Sequence, residues 1–457
     1  MTLLPYIAVR FEAEGSILDR ALRFLSSLVD GQIDSAELIV AAAVLLGVSC
    51  GLLGAFIILR KQSMMGDAIG HAVLPGVCVG FLFAGSRSTP AMLLGALVAG
   101  LLAAALIGVL QRTTNLKSGE CMGVVFTGFY GIGVVLLKWI QNHGLKQQAG
   151  LDKFLFGQIV GINEIEVICM AVMTFVVVLG VIVFWRKLKL TSFDELFAFS
   201  VGVPVKAMHY LLTGLLTVAI VVSIQAVGVV LVAAMLVTPA ATAYLLTDRL
   251  HRMVMLSAMF GAAAGVLGAV VSAASRDLPT GSLIVLAASM LFGIVFLVSP
   301  RHGVLPRVYR VWQRRQKTQA ENLIRTLFLI LEKRSNNDRR FGVHDVAGIR
   351  QESPAVVRRL WKLAAARGWV DPKSRDPMII TDDGLEAATR VARNHRLWEL
   401  FLTQEAKLAS DHVHADAEYI EHILPPDVLR RLEQMLDHPT ADPHGRPIPA
   451  ATARGAV

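Results

Sequence analysis

Between residues 37 and 299 the chain is a run of apolar blocks, separated by short polar or glycine-bearing breaks. A bilayer core takes about 20 apolar residues per helix. The blocks at 37–59, 65–84, 90–110, 120–139, 165–185, 207–224, 227–246, 253–274 and 282–299 therefore predict nine transmembrane helices. Only Gln225 and Gly228 interrupt the run after Lys206, so a count of eight stays open. Past residue 307 the pattern changes. In "QAENLIRTLFLILEKRS" the apolar residues fall at 323, 324, 327, 328, 330 and 331, one face of a helix. "GVHDVAGIRQESPAVVRRLWKLAAARGWV" (342–370) predicts a helix, a tight turn at Glu352–Pro354 and a second helix with Arg358, Arg359 and Lys362 exposed. "VDPKSRDPMIITDDG" after it predicts a two-strand wing, giving a winged helix-turn-helix, with a generic small helical domain as the other reading.

Composition sharpens the division. The 457 residues are 54% hydrophobic and only 17% charged, against about a quarter charged in soluble domains. Eight of the 12 histidines lie at or after His302. The predicted organisation is a tail or interfacial helix (1–36), a membrane domain (37–300), a basic linker (301–319), a winged helix-turn-helix (320–380), a second helical domain (381–449) and a disordered tail (450–457). No cleavable signal peptide is evident. The four cysteines form no CxxC pair and are expected as small buried hydrophobes.

Lys and Arg concentrate in alternate loops: Arg60 and Lys61, then Arg112 and Lys117, then Arg186 to Lys206, then Arg249 and Arg252. By the positive-inside rule those loops are cytoplasmic. With nine spans the N-terminus is then outside, and everything after 300 is in the cytoplasm. The net charge of +9 is accounted for largely by these loops, so it says little about nucleic acid.

One polar pair breaks the apolar pattern. "KQSMMGDAIGHAVLPG" (61–76) places Asp67 and His71 four residues apart, on one helical face. A carboxylate and an imidazole suit divalent Mn, Fe or Zn. They also suit a dipole-stabilised carboxylate and a histidine bonded to a carbonyl, and the pattern leaves both open. Glu120 at the start of the fourth span is either a second polar wall or a helix-start carboxylate. Pro75 and Pro239 are expected to kink their helices.

"LRKQSMMGDAIGHAVLPGV" resembles the permease subunits of metal-type ABC importers, the manganese, zinc and iron family. The resemblance continues in order through "GLDKFLFGQIVGIN" (150–163), "SFDELFAFSVGVPV" (192–205) and "AVGVVLVAAMLVTPAATAYLLTDRL" (226–250), covering about 37 to 300. It implies that Asp67 and His71 coordinate metal in a translocation path. It also implies an ATPase subunit docking at Phe193, Asp194, Glu195, Gly202 and Pro204, an extracytoplasmic metal-binding protein, and a second permease chain, identical or not. No GxxxxGK[ST] phosphate cradle is present, so ATP hydrolysis belongs to another subunit. The setting implied is a bacterial plasma membrane.

"RNHRLWELFL" (393–402) and residues 411–449 resemble metal-dependent repressors of the diphtheria-toxin-repressor type. His414, Glu418, Glu421 and His422 fall at about 0, 40, −20 and 80° on a helical wheel, one face. The resemblance makes Glu418, Glu421 and His422 a regulatory metal site, and His395, Glu399 and His414 its neighbour. Glu418 leans toward manganese, with iron or zinc as alternatives. The first-helix ligand position is Asn322 here, with Arg325 a turn later, which departs from the family pattern. His438 and His444 in "DHPTADPHG" are expected in turns. Two functions follow. One is a metal-importer permease with a fused sensor that gates uptake; the other is a membrane-tethered, metal-dependent DNA-binding regulator.

Overall fold

The computed structural model describes residues 35–84, 89–143, 162, 164–274, 278–334, 338–374, 376–404 and 426–450. The chain divides into two compact units, one up to Pro306 and one from Arg307. The first is all helix: α1 Ser35–Leu59, α2 Met65–Ala72, α3 Leu74–Ala84, α4 Thr89–Thr113, α5 Ser118–Asn142, α6 Glu164–Val183, α7 Trp185–Phe193, α8 Glu195–Ser200, α9 Val205–Val227, α10 Val229–Leu246, α11 Leu250–Ala274 and α12 Thr280–Val298. Among the described residues, eight segments are long and apolar enough to cross a membrane, α2 and α3 counting as one. α10 is a shorter apolar helix beside them, cut off from α9 by Gly228, whose φ of 81° ends one helix and starts the next. The predicted span 65–84 breaks at Val73, because Pro75 cannot donate into a continuous helix.

Large and small side chains both fill the bundle core, but one helix sorts them by face. On α4, Leu94, Val98, Leu102 and Leu106 are exposed, whereas Ala96, Ala99, Ala103 and Ala104 are buried. Lipid solvates leucine as well as the interior does, so small residues go where backbones must meet. Cys50, Cys78 and Cys121 are buried as expected. Cys169 is not: it is exposed on the apolar face of α6 with Ile165, Ile168 and Val172.

α1 and α11 meet backbone to backbone along two turns. A Cβ on Gly47 would lie 2.3 Å from the Gly261 carbonyl, and one on Gly51 2.5 Å from the Ser257 oxygen. The Ser257 hydroxyl donates to the Gly51 carbonyl at 2.6 Å, tying the two helices where they touch. Gly54 meets the Leu236 carbonyl of α10 at 1.9 Å by the same construction.

The second unit holds most of α13 (Val304–Lys333), then β1 Arg340–Phe341, α14 Val343–Arg350, α15 Pro354–Ala365, β2 Met378–Ile379, α16 Asp382–Gln404 and α17 Pro426–Met435. The stretch expected as a linker is helical, since Arg, Gln and Lys are good helix formers and Pro306 sits in the first turn, where it removes no bond. The stretch expected as a wing does pair with itself: Val370 bridges Ile380, the Asp371 N–H donates to the Ile379 carbonyl at 2.9 Å and the Thr381 N–H to the Trp369 carbonyl at 3.1 Å. β2 also pairs antiparallel with β1, a strand before the helix-turn-helix that was not expected. Between α14 and α15, Gln351 takes φ 54° to make the turn. Leu323, Ile324, Leu327, Phe341, Val346, Val357 and Leu360 form the core of this winged helix-turn-helix. Leu397, Leu400, Leu432 and Leu436 join α16 to α17.

Two expected outcomes follow. Gly47→Leu forces α1 off α11 and costs about 3 kcal/mol, whereas Gly108→Leu, with nothing within 4 Å, changes stability by about 0.5 kcal/mol or less. The fraction of monodisperse detergent-solubilised chain after heating distinguishes them, and equal behaviour of the two variants refutes the packing assignment. On α17, the Arg393 guanidinium, and secondarily His438, hold the Glu433 carboxyl below the usual carboxylate range. That pair therefore stabilises the α16–α17 contact above the ordinary carboxylate range, about pH 4.3, and loses its effect as pH falls through the lowered value. Hydrogen exchange over residues 426–435 should be faster in Glu433→Gln than in the native chain at pH 6, and equal at pH 2.5. A difference that persists at pH 2.5 removes the ion pair as its cause.

Candidate metal path, coupling segment and sensor centre

Three groups of residues carry the candidate chemistry, each placed by ordinary packing. The first is on α2, a short helix set among α4, α5, α9 and α10. Gly66 and Gly70 fall on its packing stripe, where a Cβ would lie 2.9 Å from Leu236 and 2.9 Å from Val229, both on α10. One residue further on, Asp67 and His71 face α5. The His71 ring lies 5.1 Å from the Phe126 ring and 5.2 Å from the Tyr130 ring, edge-on to the latter. These two rings stack on each other and hold the imidazole in place.

His71 Nε2 is 3.4 Å from Asp67 Oδ1, long for a hydrogen bond, whose usual N···O distance is about 2.9–3.0 Å. Two metal bonds of about 2.1 Å span about 3.0 Å at a right angle and about 3.4 Å at the tetrahedral angle, so the pair has the spacing of a chelating edge. His71 Nδ1 is buried without a hydrogen-bond partner. Asp67 is half exposed, its side chain at 50% and that of His71 at 22%. The lack of a partner for Nδ1 among the described residues is costly as packing. The donor set fits a divalent transition metal. Glu120 does not join them. Its Oε2 accepts the Lys117 backbone N–H at 3.0 Å and caps α5, the helix-start role.

The second group is the segment after α6. Phe193 ends α7, and Asp194 caps α8, its Oδ1 accepting the Phe197 N–H at 2.9 Å. Gly202, at φ 83°, makes the turn to Pro204, which precedes α9. The short helix opened by Glu195 presents Leu196 at 85% and Phe199 at 76% exposure, with Phe193 and Val201 beside them. It is wired to the bundle. Arg60, at the end of α1, donates to Thr191 Oγ1 at 2.9 Å and to Ser192 Oγ at 3.3 Å. Arg60, Thr191, Glu195 and Lys206 also line a polar cavity of about 530 Å³ with Gln111 and Arg112.

The third group lies in the second unit. His395 and Glu399 are both buried on α16, His395 Nε2 lying 3.0 Å from Glu399 Oε1. His414, Glu418, Glu421 and His422 lie outside the described residues. Two groups that pattern reading assigned elsewhere come close: ligand atoms of Glu399, Asp442 and His444 lie within 4.8 Å of one another. Asp442 also has the expected turn role, its Oδ1 accepting the His444 and Arg446 N–H groups. Nothing in the spacing of the "DHPTADPHG" stretch pointed to Glu399; only the fold brings them together. Arg358, Arg359 and Lys362 are exposed along α15.

Such an arrangement, a polytopic bundle with a polar pair inside it and an apolar helix on its rim, is that of a transport permease. The chain belongs to the ABC 3 transport family, which it matches over residues 33–299. Residues 381–450 match the iron dependent repressor, metal binding and dimerisation domain. The manganese transport system membrane protein MntC of Bacillus subtilis is 35% identical over 403 residues, covering 88% of this chain and 92% of that protein. The zinc transport system membrane protein TroC of Treponema pallidum is 39% identical over 278 residues, 61% of this chain and 92% of that one. The solved PsaBC from Streptococcus pneumoniae, in complex with Fab, has 37% identity and a TM-score of 0.54, covering 62% of this chain and 97% of that one. This chain is thus a multi-pass membrane protein that joins a permease to a repressor-like domain.

Proposed function

We propose that the chain is the permease subunit of an ATP-driven importer of divalent transition metal, manganese foremost, with a cytoplasmic metal-responsive domain that gates uptake. The observation that carries this reading is the Asp67–His71 pair: a half-exposed carboxylate and an incompletely bonded imidazole, at chelating distance, on a helix enclosed by four others. The manganese and zinc in the names of its relatives support the choice of cargo.

In this reading Asp67 and His71 exchange for part of the ion's hydration shell, which offsets the cost of an uncovered imidazole in the bundle. Two ligands are too few for Mn²⁺, so water and a second permease chain complete the coordination. An extracytoplasmic metal-binding protein delivers the ion. The absence of a phosphate cradle puts ATP hydrolysis on a separate subunit, and the exposed Leu196 and Phe199 of α8 suit an apolar groove on it. Arg60 then links that contact to α1 through Thr191 and Ser192. Loop charge supports a cytoplasmic second unit, where Glu418, Glu421 and His422 are the sensing ligands we favour.

A second reading, DNA binding by the winged helix-turn-helix, is favoured by one feature, the exposed Arg358, Arg359 and Lys362 on α15. Those side chains contact phosphate better than they read bases.

In cells supplying the cognate ATPase and binding protein, Asp67→Ala/His71→Ala should lower uptake of radiolabelled Mn at least 10-fold. A truncation ending at Arg315 should keep uptake but lose its shut-off at high internal Mn. Native uptake in the double mutant ends the transport assignment of this pair. For the second reading, full-length chain in detergent should shift duplex DNA in low salt. The shift should be without sequence preference and lost in Arg358→Ala/Arg359→Ala/Lys362→Ala; no shift in low salt leaves the permease reading alone.

A further inference from the structure

α13 runs past α16 and puts Arg325 against the buried His395/Glu399 pair of the metal-binding domain. Arg325 is only 8% exposed, and its Nη1 lies 3.3 Å from His395 Nδ1. A guanidinium can only donate, so Nδ1 is the acceptor and Nε2 carries the hydrogen that reaches Glu399 Oε1 at 3.0 Å. Both nitrogens of His395 are thereby engaged, one by a fixed cation and one by a carboxylate. A metal ion at His395 would need the Nδ1 lone pair, which faces a permanent positive charge, or would have to displace the Nε2 hydrogen that reaches Glu399.

The neighbouring contacts follow the same plan. One residue along α16, the buried Arg396 makes a two-pronged pair with Glu332 of α13, 3.0 and 2.6 Å. Arg396 Nε also lies 3.9 Å from Asp442 Oδ2, one of the groups clustered with Glu399. Two arginines thus offset much of the carboxylate charge between α13, α16 and the 442–447 turn.

We infer that Arg325 stands in for a metal ion at His395 and Glu399, so that this half of the domain is organised permanently and without metal. The charge arithmetic agrees: a glutamate at position 325 holding a divalent cation would carry a net charge of +1, the same as the arginine. His395 and Glu399 then need no metal to be organised, and α13 is fixed to α16 whether metal is scarce or abundant. This inference rests on reading residues 381–450 as a metal-binding domain.

The test counts Mn²⁺ by electron paramagnetic resonance on the purified full-length chain, in an Asp67→Ala/His71→Ala background that removes the membrane site. Arg325→Glu should bind one Mn²⁺ per chain more than the parent, and Arg325→Glu/His395→Gln should return to the parent count. Arg325→Gln, which keeps the hydrogen-bonding reach but drops the charge, guards against a fold defect. It should also gain the ion, with at least 10-fold weaker affinity than Arg325→Glu. Equal Mn²⁺ counts in the parent and in both monodisperse Arg325 variants overturn the inference. A parent that loses an ion on His395→Gln overturns it as well. Glu421→Ala in the same background reports separately on the domain reading: if it removes no ion, that reading fails, while the gain at Arg325 still decides this one.

Discussion

Everything in the membrane unit hangs from backbone meeting backbone. In lipid there is no hydrophobic force to press helices together, so association relies on close van der Waals contact and on hydrogen bonds that only close approach allows. Gly47 on Gly261 and Gly51 on Ser257 provide both. From that seam a chain of contacts leads inward: Gly54 of α1 seats the Leu236 backbone of α10, and the Leu236 side chain in turn occupies the notch left by Gly66 of α2. Gly70 receives Val229 one turn later. The pair on α2 is therefore aimed by glycines on three helices. None of them bears chemistry, and together they decide which way Asp67 and His71 look.

The polar parts are distributed with the same economy. α2 is cut short at Val73, with Asp67 in its first turn, where it is half exposed, and His71 in its last. Arg60 ends α1 only a few residues earlier and bonds to the hydroxyls of α7. Two hydrogen bonds thus join α7 to the chain segment that leads into α2.

Much of this was legible from residue order, for physical reasons that can be stated. A carboxylate and a histidine at i and i+4 inside an apolar run announce themselves because lipid makes them expensive. The Asp194 cap and the Gly202 turn carry local signatures of their own. Pairwise tertiary facts were not legible. Any of the many glycines could have met any other, and nothing about Gly47 names Gly261. β1 and β2 are two residues each, too short for alternation to register; β2 lies after α15, where the turn residues pointed, while its second partner β1, before α14, was not legible. The linker was read from its charge, but helix propensity decided its structure. Arg325 stood out as a departure from pattern. Its partner His395 lies 70 positions away and only the fold joins them; the same is true of Asp442 and Glu399.

The apolar rim of α8 also bears on how much of this protein a cell retains. If α8 docks an ATPase subunit as proposed, Leu196, Phe199 and Phe193 stay uncovered on any copy that lacks that subunit. Exposed aromatic and aliphatic surface of this kind is what chaperones hold and proteases clear. A surplus chain therefore carries its own mark for disposal, and the mark is hidden only by assembly. Subunit ratio can in this way be set after synthesis, by the survival of complete complexes, without any need to match the rates at which the parts are made.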